Sequence, residues 1–387
     1  MKIAIIAHSY PCPGTPTAGT FVQVIARGFV KAGHDVVVVA PVPWPRSLRR
    51  TDFPNRRRDD AFGGSLLELR PSYVSFSGRL QVPKLGVLNP ARWSFRNFYK
   101  SVICSLKKNS FYPDVVYGHF LYFGGGAAIE VGRCFNVPSY IGVGEGEFWS
   151  VKPFGNAFAK KHLQSATKLI PNARHLAESL HREFGISLEK LNSLPNGVDS
   201  SIFYPRNKEE CRKHYSIPED AFVVGSVGNY TYKKGICRVG EAIRGIPGVV
   251  GIFAGSGDLP PVAPNVVYSG RVPHDKLPEF YSACDVFVLP TLIEGCCNAI
   301  IEAMACGVPV ISSNTKYTSD LLDDGCSLRV DPLAVEEIKN AIRNLKEDKD
   351  LYLFLSNGAI ERAKNFAIEN RINRLIEYFQ TGTLSKV

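Results

Sequence analysis

The chain has 387 residues, of which 45% are hydrophobic, and this length favours two domains that each bury a core. Its charge is uneven: residues 1–190 carry 25 Lys and Arg against 12 Asp and Glu, a net +13, whereas the remainder carries 21 against 24, a net −3. A basic half indicates a face suited to anions, although a diffuse bias for solubility would give the same excess.

The sequence also indicates the compartment. No run of 18 apolar residues occurs, so no membrane-spanning helix is expected, and the apolar stretch at the N-terminus is too short for a signal peptide. The ten cysteines are scattered without a Cys-x-x-Cys pair, which favours buried thiols over a disulfide framework or a zinc site. We therefore expect a cytoplasmic protein.

The chain opens with the pattern of a doubly wound α/β domain. Residues 2–7 and 36–40 are continuous apolar runs, typical of strands buried on both faces, and residues 20–32 between them have a helical pattern. Ligands of such domains bind beyond the carboxyl ends of the strands, so the loop from Gly14 to Gly19 is expected to line the binding site.

Two basic segments follow. Residues 44–60 contain six arginines among prolines, and we predict a loop there. These arginines are Arg46, Arg49, Arg50, Arg56, Arg57 and Arg58. Residues 91–108 predict a helix that either lies in a membrane interface beside anionic lipids or places its aromatic side chains in the core. Nucleic-acid binding is the least favoured interpretation, because no recognised module accompanies the charge.

A buried strand at residues 114–117 leads to His119, after which glycines begin another helix. A lone histidine is more often structural than functional. In this fold, however, the end of a strand lies at the edge of the sheet where ligands bind. His119 is therefore a candidate site residue.

The second half of the chain again alternates strands and helices. Apolar runs predict buried strands at 222–227, 249–254, 285–289 and 308–311. A short helix is predicted between the last two, with Asn298 as its N-cap and Gly307 as its C-terminal stop. Its N-terminus, with free N–H groups and the positive end of the dipole, is suited to phosphate.

Two glutamates, Glu294 and Glu302, bracket the start of this helix. A loop carboxylate, free amides and a helix carboxylate suit a sugar, a diphosphate and a ribose in that order. Either glutamate alone would more often be a solvated surface charge. The pair is more specific, because the strands and the helix around it stand where such a site needs them.

The segment from Glu294 to Ile311 resembles the E-x7-E signature of retaining family-4 glycosyltransferases of the GT-B fold. Other motifs extend the resemblance over nearly the whole chain: Gly19-Thr-Phe-Val, Gly33-His-Asp-Val, Asn196-Gly-Val-Asp, Lys234-Gly and Gly255-Ser-Gly. It implies two Rossmann-like, doubly wound α/β domains that face a central cleft. The acceptor-side domain would span residues 1–194 and the nucleotide-sugar-binding domain 195–365, with a C-terminal helix at about 366–387 packing back on the first.

The resemblance also implies roles for single residues. Glu294 would contact the donor sugar, Glu302 the ribose hydroxyls and Lys234 the donor diphosphate. His119, Glu294 and Lys234 are the expected catalytic residues. The other expected donor-binding residues are Gly19, Asn229, Gly255, Gly257, Cys297, Asn298 and Glu302.

The sequence departs from the family pattern at Asn229, at residues 144–147 and at residues 315–320, where the family often has Gly-Gly. Asn229 stands where the family has an arginine that neutralises the diphosphate, and Lys233 and Arg271 are candidates to replace that charge. Many family members have His-Gly-x-Asp where this chain has Gly144-Glu-Gly-Glu147. Glu147 would hold the place of the acidic residue and is a guess for a base.

We therefore predict a hexosyltransferase-type glycosyltransferase that moves a sugar from a nucleotide-sugar donor to a glycan or lipid-linked acceptor, with retention. The nearest resemblance is to enzymes of bacterial surface polysaccharides such as teichuronic acid and exopolysaccharide. No metal or other cofactor is expected, because Lys234, the amides of Cys297 and Asn298 and the helix dipole can stabilise the leaving diphosphate. We expect peripheral contact with an anionic membrane surface and no nucleic-acid partner.

Two alternatives stay open. The first is a nucleotide-sugar epimerase or hydrolase of the same fold, which needs no second substrate site. The second is a non-catalytic sugar-nucleotide binder, for which Asn229 is the best argument.

Overall fold

The computed structural model describes residues 1–16, 18–49, 51–59, 66–75 and 89–383. The chain divides into two compact units, Met1–Leu194 with Ile372–Val387, and Pro195–Arg371. Within the described ranges, no helix is both long and apolar enough to cross a membrane.

The first unit contains nine strands and five helices that lie wholly within it. The strands are β1 (Lys2–Ile6), β2 (Asp35–Val39), β3 (Val42–Pro43), β4 (Arg56–Asp59), β5 (Leu66–Leu69), β6 (Ser72–Tyr73), β7 (Val115–His119), β8 (Ser139–Val143) and β9 (Lys168–Pro171). The helices are α1 (Thr20–Lys31), α2 (Pro90–Lys108), α3 (Gly126–Phe135), α4 (Asn156–Leu163) and α5 (Arg174–Phe184). These counts refer to the described ranges.

Seven of these strands form one sheet in the order β4-β5-β2-β1-β7-β8-β9, and β3 pairs with β6. All pairings in the large sheet are parallel except that of β4 with β5. Every residue of β7 and β8 is buried, as their continuous apolar sequences predict for strands covered on both faces. The strand order reverses between β1 and β7, which makes this the topological switch point of the sheet.

The predicted loop at residues 44–60 is wrong in part, because Arg56–Asp59 is the edge strand β4. Arg56, Arg57 and Arg58 are exposed, and exposed charges on an edge strand discourage pairing with another chain. Asp59 is buried and accepts from Arg27 Nη2 at 2.9 Å. A run of arginines has no alternation of apolar and polar residues, so the sequence carries no strand signal here. Arg50 and Asp60 lie outside the described residues.

The basic and aromatic segment at 91–108 is helix α2, which begins after the N-cap Asn89. Asn89 Oδ1 accepts from the amide of Ala91 at 2.9 Å. Phe95 and Phe98 are buried in the core, whereas Trp93 remains 40% exposed. Most of the aromatic surface of this helix therefore serves packing.

The second unit is built on a six-stranded sheet. Its strands are β10 (Phe222–Val227), β11 (Val249–Ala254), β12 (Val266–Gly270), β13 (Val286–Leu289), β14 (Val310–Ser313) and β15 (Ser327–Val330). The helices that follow the first unit are α6 (Lys208–Lys213), α7 (Ile236–Ile243), α8 (Leu277–Ala283), α9 (Asn298–Ala305), α10 (Val335–Glu347), α11 (Lys349–Lys364) and α12 (Ile368–Thr381). All strands are parallel in the order β12-β11-β10-β13-β14-β15. The order reverses between β10 and β13, as in a Rossmann sheet.

Helix α12 begins in the second unit and ends in the first, since residues from Ile372 onward pack on the first unit. There the Tyr378 hydroxyl donates to Asn192 Oδ1 at 2.7 Å, and the Tyr140 hydroxyl donates to the Tyr378 carbonyl at 3.2 Å. Leu375, one turn before Tyr378 on the same helix, is completely buried. The last residues of the predicted C-terminal helix, 384–387, lie outside the described residues.

Leu375→Ala tests how much this helix stabilises the first unit. Removing a fully buried leucine side chain typically costs about 2–5 kcal/mol of unfolding free energy. We expect a lower melting temperature in differential scanning calorimetry. Asn373→Ala, an exposed position on the same helix, serves as the control and leaves the melting temperature close to wild type. Equal melting of both variants would contradict the packing described.

Candidate functional site

The loops after β10 and β13 meet at the switch point of the second sheet. The Leu292 amide in the second loop donates to the Lys233 carbonyl in the first at 2.8 Å. In sheets of this topology, ligands bind outside the carboxyl ends of the strands at this point. These two loops are therefore the candidate donor site of the second unit.

Lys234 and Glu294 form an ion pair across these loops, between Lys234 Nζ and Glu294 Oε1. The Thr291 hydroxyl donates to the same carboxylate oxygen at 3.0 Å. Burial lowers the pKa of Lys234, but its surroundings, which include the hydrogen-bonded carboxylate of Glu294, raise it more, so that the pKa lies above its ordinary value. The structure thus brings together two residues predicted from the sequence, and Lys234 carries a positive charge at neutral pH.

The start of helix α9 differs from the prediction, because its N-cap is Cys297 and Asn298 is already helical. The side-chain oxygen of Asn298 instead accepts from Asn196 Nδ2 at 2.8 Å, a partner about 100 residues away in sequence. Among the described residues, the start of the helix has no cap of the usual Ser, Thr, Asp or Asn kind. Burial raises the pKa of the Cys297 thiol to about 12, which keeps it neutral.

Glu302, the second glutamate of the signature, lies further along α9 and is almost fully buried. Its Oε2 accepts from the hydroxyl of Tyr281 on α8 at 2.8 Å, and its Oε1 lies 3.6 Å from His274 Nε2. The hydrogen bond to Glu302 raises the pKa of His274, against the effect of burial. The polar partners that Glu302 has among the described residues are thus Tyr281 and His274, and not Lys234 or Glu294.

Gly255 and Gly257, in the turn after β11, are required by close backbone packing. A Cβ on Gly255 would lie 1.9 Å from the Gly228 carbonyl oxygen, and one on Gly257 would lie 2.5 Å from that of Tyr230. Any side chain at either place would separate this turn from the loop after β10. The two glycines therefore allow the turn and that loop to form one surface.

Asn229 is exposed in the loop after β10, at the place of the family arginine. Lys233, one candidate to replace that charge, is also exposed. Arg271, the other candidate, follows β12, and its Nε donates to Ser256 Oγ at 3.1 Å. The carbonyl oxygen of Ser256 accepts a hydrogen bond from the Tyr230 amide at 2.9 Å. Arg271 therefore lies beside the turn that packs next to Asn229.

Arg238 on α7 is a site-supporting residue that the sequence analysis missed. Its buried guanidinium donates to three backbone carbonyls, one from each loop that it joins. These are Tyr232 at 3.0 Å, Pro290 at 2.9 Å and Pro332 at 2.7 Å. Arg238 thereby connects the loops after β10, β13 and β15. The available signal was an arginine on the otherwise apolar face of a short helix.

In the first unit, the start of α1, which follows Gly19, meets the end of β7 at His119, near the switch point between β1 and β7. Gly19 has a φ of 72° and is the N-cap of α1. The ring of Phe21, two residues later, lies 4.6 Å from the ring of His119 at the end of β7. His119 is buried. Within the loop from Gly14 to Gly19, Thr17 lies outside the described residues.

The loop after β8 contains two glutamates in different environments. Glu147, the acidic residue suggested by the family pattern, is exposed. Glu145 is only 2% exposed, and its Oε2 accepts from the Leu121 amide at 3.2 Å. Burial raises the pKa of Glu145 to about 7, although hydrogen bonds from Ser150 and Leu121 oppose the rise. Sequence alone did not distinguish Glu145, because its burial depends on the tertiary structure.

The described residues contain no group of three or more His, Cys, Asp and Glu side chains that could hold a metal ion.

Comparison with protein families agrees with this arrangement. A model described as Glycosyltransferase Family 4 matches residues 18–202, and one described as Glycosyl transferases group 1 matches residues 207–363. The chain belongs to the family-4 glycosyltransferases. The two matches account for both units and include Lys234, Glu294, Glu302 and His119.

Relatives named for glycosyl transfer align over most of the chain. The teichuronic acid biosynthesis glycosyltransferase TuaC of Bacillus subtilis is 27% identical over 365 residues, which are 90% of each chain. A GDP-mannose-dependent alpha-mannosyltransferase of Corynebacterium glutamicum is 23% identical over 397 aligned positions, 98% of this chain and 88% of that one.

Solved structures confirm the predicted GT-B fold. Sucrose-phosphate synthase from Thermosynechococcus elongatus superposes with a TM-score of 0.75 over 98% of both chains, at 19% identity. Anabaena HepE, in complex with UDP, gives a TM-score of 0.73 over 98% of this chain and 100% of that one, at 16% identity.

Arg238→Met tests the support of the donor loops. Methionine fills much of the same space but leaves three backbone carbonyls without their donor, and each buried unsatisfied group costs about 1–3 kcal/mol. We expect a loss of roughly 3 kcal/mol in the unfolding free energy, measured by urea denaturation. Arg238→Lys keeps the charge but cannot reach three loops, so it should recover only part of the loss. A methionine variant as stable as wild type would show that these hydrogen bonds contribute nothing.

Proposed function

We propose that this glycosyltransferase uses a nucleotide-sugar donor, whose diphosphate binds between Lys234 and the start of α9. The observation that carries the proposal is the Lys234–Glu294 ion pair at the switch point of the second sheet. A carboxylate and an ammonium held together at this edge provide one group for a sugar hydroxyl and one for a phosphate.

The chemistry requires stabilisation of the leaving group. When the bond between the anomeric carbon and the phosphate oxygen breaks, the nucleoside diphosphate gains negative charge. We propose that the ammonium of Lys234 and the amides at the start of α9 offset that charge. Because the protein itself supplies positive charge here, we propose a transfer that is independent of metal.

Donor binding would also change the role of Glu294. A diphosphate competes for Lys234, and Glu294 then has an oxygen available for a hydroxyl of the sugar. His119 in the first unit is proposed as the third catalytic residue, by the family resemblance. The same resemblance supports transfer with retention of the anomeric configuration.

The acceptor is proposed to be a glycan or a lipid-linked sugar in the synthesis of a bacterial cell-surface polysaccharide. The name of the Bacillus subtilis relative supports this class of product. The net charge of +13 over residues 1–190 supports an anionic acceptor or an anionic surface around it. We propose that the enzyme works in the cytoplasm, on the inner face of the plasma membrane.

One observation favours a second candidate, a non-catalytic sugar-nucleotide binder. The exposed Asn229 supplies no charge where the family has an arginine. The position of Arg271 beside the neighbouring turn favours the enzyme, because a guanidinium is still present at this edge.

A donor screen distinguishes these functions. Thermal shifts are measured with UDP-, GDP- and ADP-linked hexoses, since a ligand at 100 times its dissociation constant adds about 2.7 kcal/mol of stability. Turnover of the donor that binds is then followed by release of its nucleoside diphosphate, with a membrane lipid extract as acceptor source. An enzyme loses this release in Glu294→Gln while retaining the thermal shift. Binding without release indicates the non-catalytic binder if the nucleotide sugar is recovered unchanged and an epimerase if its sugar is epimerised. Release without a glycosylated product indicates a hydrolase.

Glu302→Ala is expected to weaken nucleoside diphosphate binding about tenfold, because a carboxylate hydrogen bond to a ribose hydroxyl contributes on the order of 1.5 kcal/mol. Calorimetry with UDP, GDP and ADP and with their 2′-deoxy analogues provides the measurement. The wild type should prefer the ribonucleotide, and the variant should not.

Tyr281→Phe is the matched control for that substitution. It removes the hydroxyl that contacts Glu302 but keeps the carboxylate, so affinity should change little. If Glu302→Ala binds the ribonucleotides and their 2′-deoxy analogues with the affinities of the wild type, Glu302 does not contact the ribose.

We also propose peripheral binding of the first unit to anionic membranes. Trp44 is 57% exposed, and its amide donates to the Tyr73 carbonyl at 2.9 Å. The next residue, Val74, accepts at its carbonyl from Asn97 Nδ2 of α2 at 3.4 Å. The Trp44 segment and α2 therefore border the same short strand. Within residues 44–60 and 91–108, the exposed large aromatic side chains among the described residues are Trp44 and Trp93, since Phe95 and Phe98 are in the core.

Vesicle co-sedimentation tests this attachment. Each Lys or Arg near an anionic leaflet contributes about 1 kcal/mol, so binding should be strong at low salt and weak at high salt. Substitution of Arg56, Arg57 and Arg58 by Ser should weaken it. A triple Ser variant at the exposed Lys213, Lys316 and Lys349 of the second unit is the matched control and should bind as the wild type does. If the wild type binds anionic and neutral vesicles equally poorly, a soluble anionic glycan is the better acceptor.

A further inference from the structure

The loop after β8 contains a buried carboxyl group that the proposed chemistry does not use. Glu145 Oε2 accepts from the Leu121 amide at 3.2 Å and also receives a hydrogen bond from Ser150. Glu145 Oε1 is fully buried and has no hydrogen-bond partner among the described residues. A buried polar atom without a partner requires an explanation, which is strain, a functional role or a bound water or ion.

Glu145 and Ser150 together hold the turn that follows His119. The Leu121 amide donates to Glu145, and the next amide, that of Tyr122, donates to Ser150 Oγ at 3.3 Å. Phe120, between His119 and these two amides, has a φ of 65°. A non-glycine residue in this region is strained and persists only where its surroundings impose that conformation. The ring of Phe120 packs 4.7 Å from the ring of His119.

We propose that Glu145 is a positioning residue for His119: in its neutral form it holds the Phe120–Tyr122 turn, and on ionisation it releases that turn. The importance of this for transfer rests on the proposed catalytic role of His119. The physical device itself depends only on the contacts of Glu145.

Electrostatics place the switch in the physiological range. Burial raises the pKa of Glu145 to about 7, and no cation is among the groups that influence it. The titratable side chains on the neighbouring segments are His119 on β7, Tyr122 in the turn, Glu147 in the same loop and His175 on α5, and none of them is among the groups that shift this pKa. Below pH 7 the carboxyl is neutral, so the buried site carries no charge. Above pH 7 burial disfavours the carboxylate more than the hydrogen bonds from Leu121 and Ser150 favour it, and this favours a rearrangement of the turn that brings the carboxylate to water.

Trp149 provides a direct probe of this turn. Its ring is exposed and lies 6.2 Å from the ring of Phe120, and the chain has only three tryptophans. In a Trp44→Phe/Trp93→Phe background, its fluorescence should show a pH transition with a midpoint near 7. Glu145→Gln keeps an oxygen acceptor for the Leu121 amide but cannot ionise, so the transition should disappear. Glu147→Gln, two residues away and exposed, is the matched control and should retain it.

The imidazole ¹H–¹⁵N resonances of His119, assigned with His119→Gln, provide the second readout. They should follow the same midpoint in the wild type and lose that transition in Glu145→Gln. Ser150→Ala removes a hydrogen bond that lowers the pKa of Glu145, so it should move the midpoint upward.

The result that supports the proposal is a shared transition of Trp149 and His119 that Glu145→Gln abolishes and Ser150→Ala raises. A missing transition, one that persists in Glu145→Gln, or a His119 signal that does not follow Trp149 would overturn it. Neither readout needs a donor or an acceptor, so failure of the glycosyltransferase proposal would leave the result interpretable.

Discussion

A parallel sheet whose strand order reverses has a crevice at the point of reversal, and both units of this protein depend on that constraint. In the second unit the two loops that leave the crevice carry Lys234 and Glu294, which are 60 residues apart in sequence and form an ion pair. In the first unit the same kind of point carries Gly19 and His119. The topology of each sheet thus brings the elements that carry the site residues to one edge of that sheet. The side chains that pack around those residues differ between the two units.

The Lys234–Glu294 pair is better understood as a functional arrangement than as a source of stability. Removing two charges from water is costly, and such pairs often stabilise a protein no more than apolar side chains would. Here the surrounding loops are held independently, by Arg238 and by the hydrogen bond between Leu292 and Lys233. The pair can therefore exchange its partners for a ligand while the loops keep their backbone contacts.

Much of this architecture was predictable from the sequence, because continuous apolar runs identify buried parallel strands and their order follows from the GT-B resemblance. The meeting of Lys234 and Glu294 was predictable for the same reason. The role of Asn298 was not predictable, because its side-chain oxygen accepts a hydrogen bond from Asn196, and helix-capping rules consider only residues close in sequence. Strand β4 was missed because the arginines in it show no alternation, and Glu145 was missed because only tertiary packing buries it.

The central claim is that the Lys234–Glu294 crevice binds a diphosphate, and a double-mutant cycle tests it most directly. Calorimetry would give the affinities of UDP, GDP and ADP for the wild type, Lys234→Ala, Glu294→Gln and the double variant. The account predicts that Lys234→Ala lowers the affinity for the diphosphate that the wild type binds by at least about tenfold, since a lost charge-assisted hydrogen bond costs about 1.5–3 kcal/mol. Glu294→Gln should bind it as well as or better than the wild type, because Lys234 loses a competing carboxylate, and the double variant should resemble Lys234→Ala. Unchanged diphosphate affinity in Lys234→Ala would contradict the account.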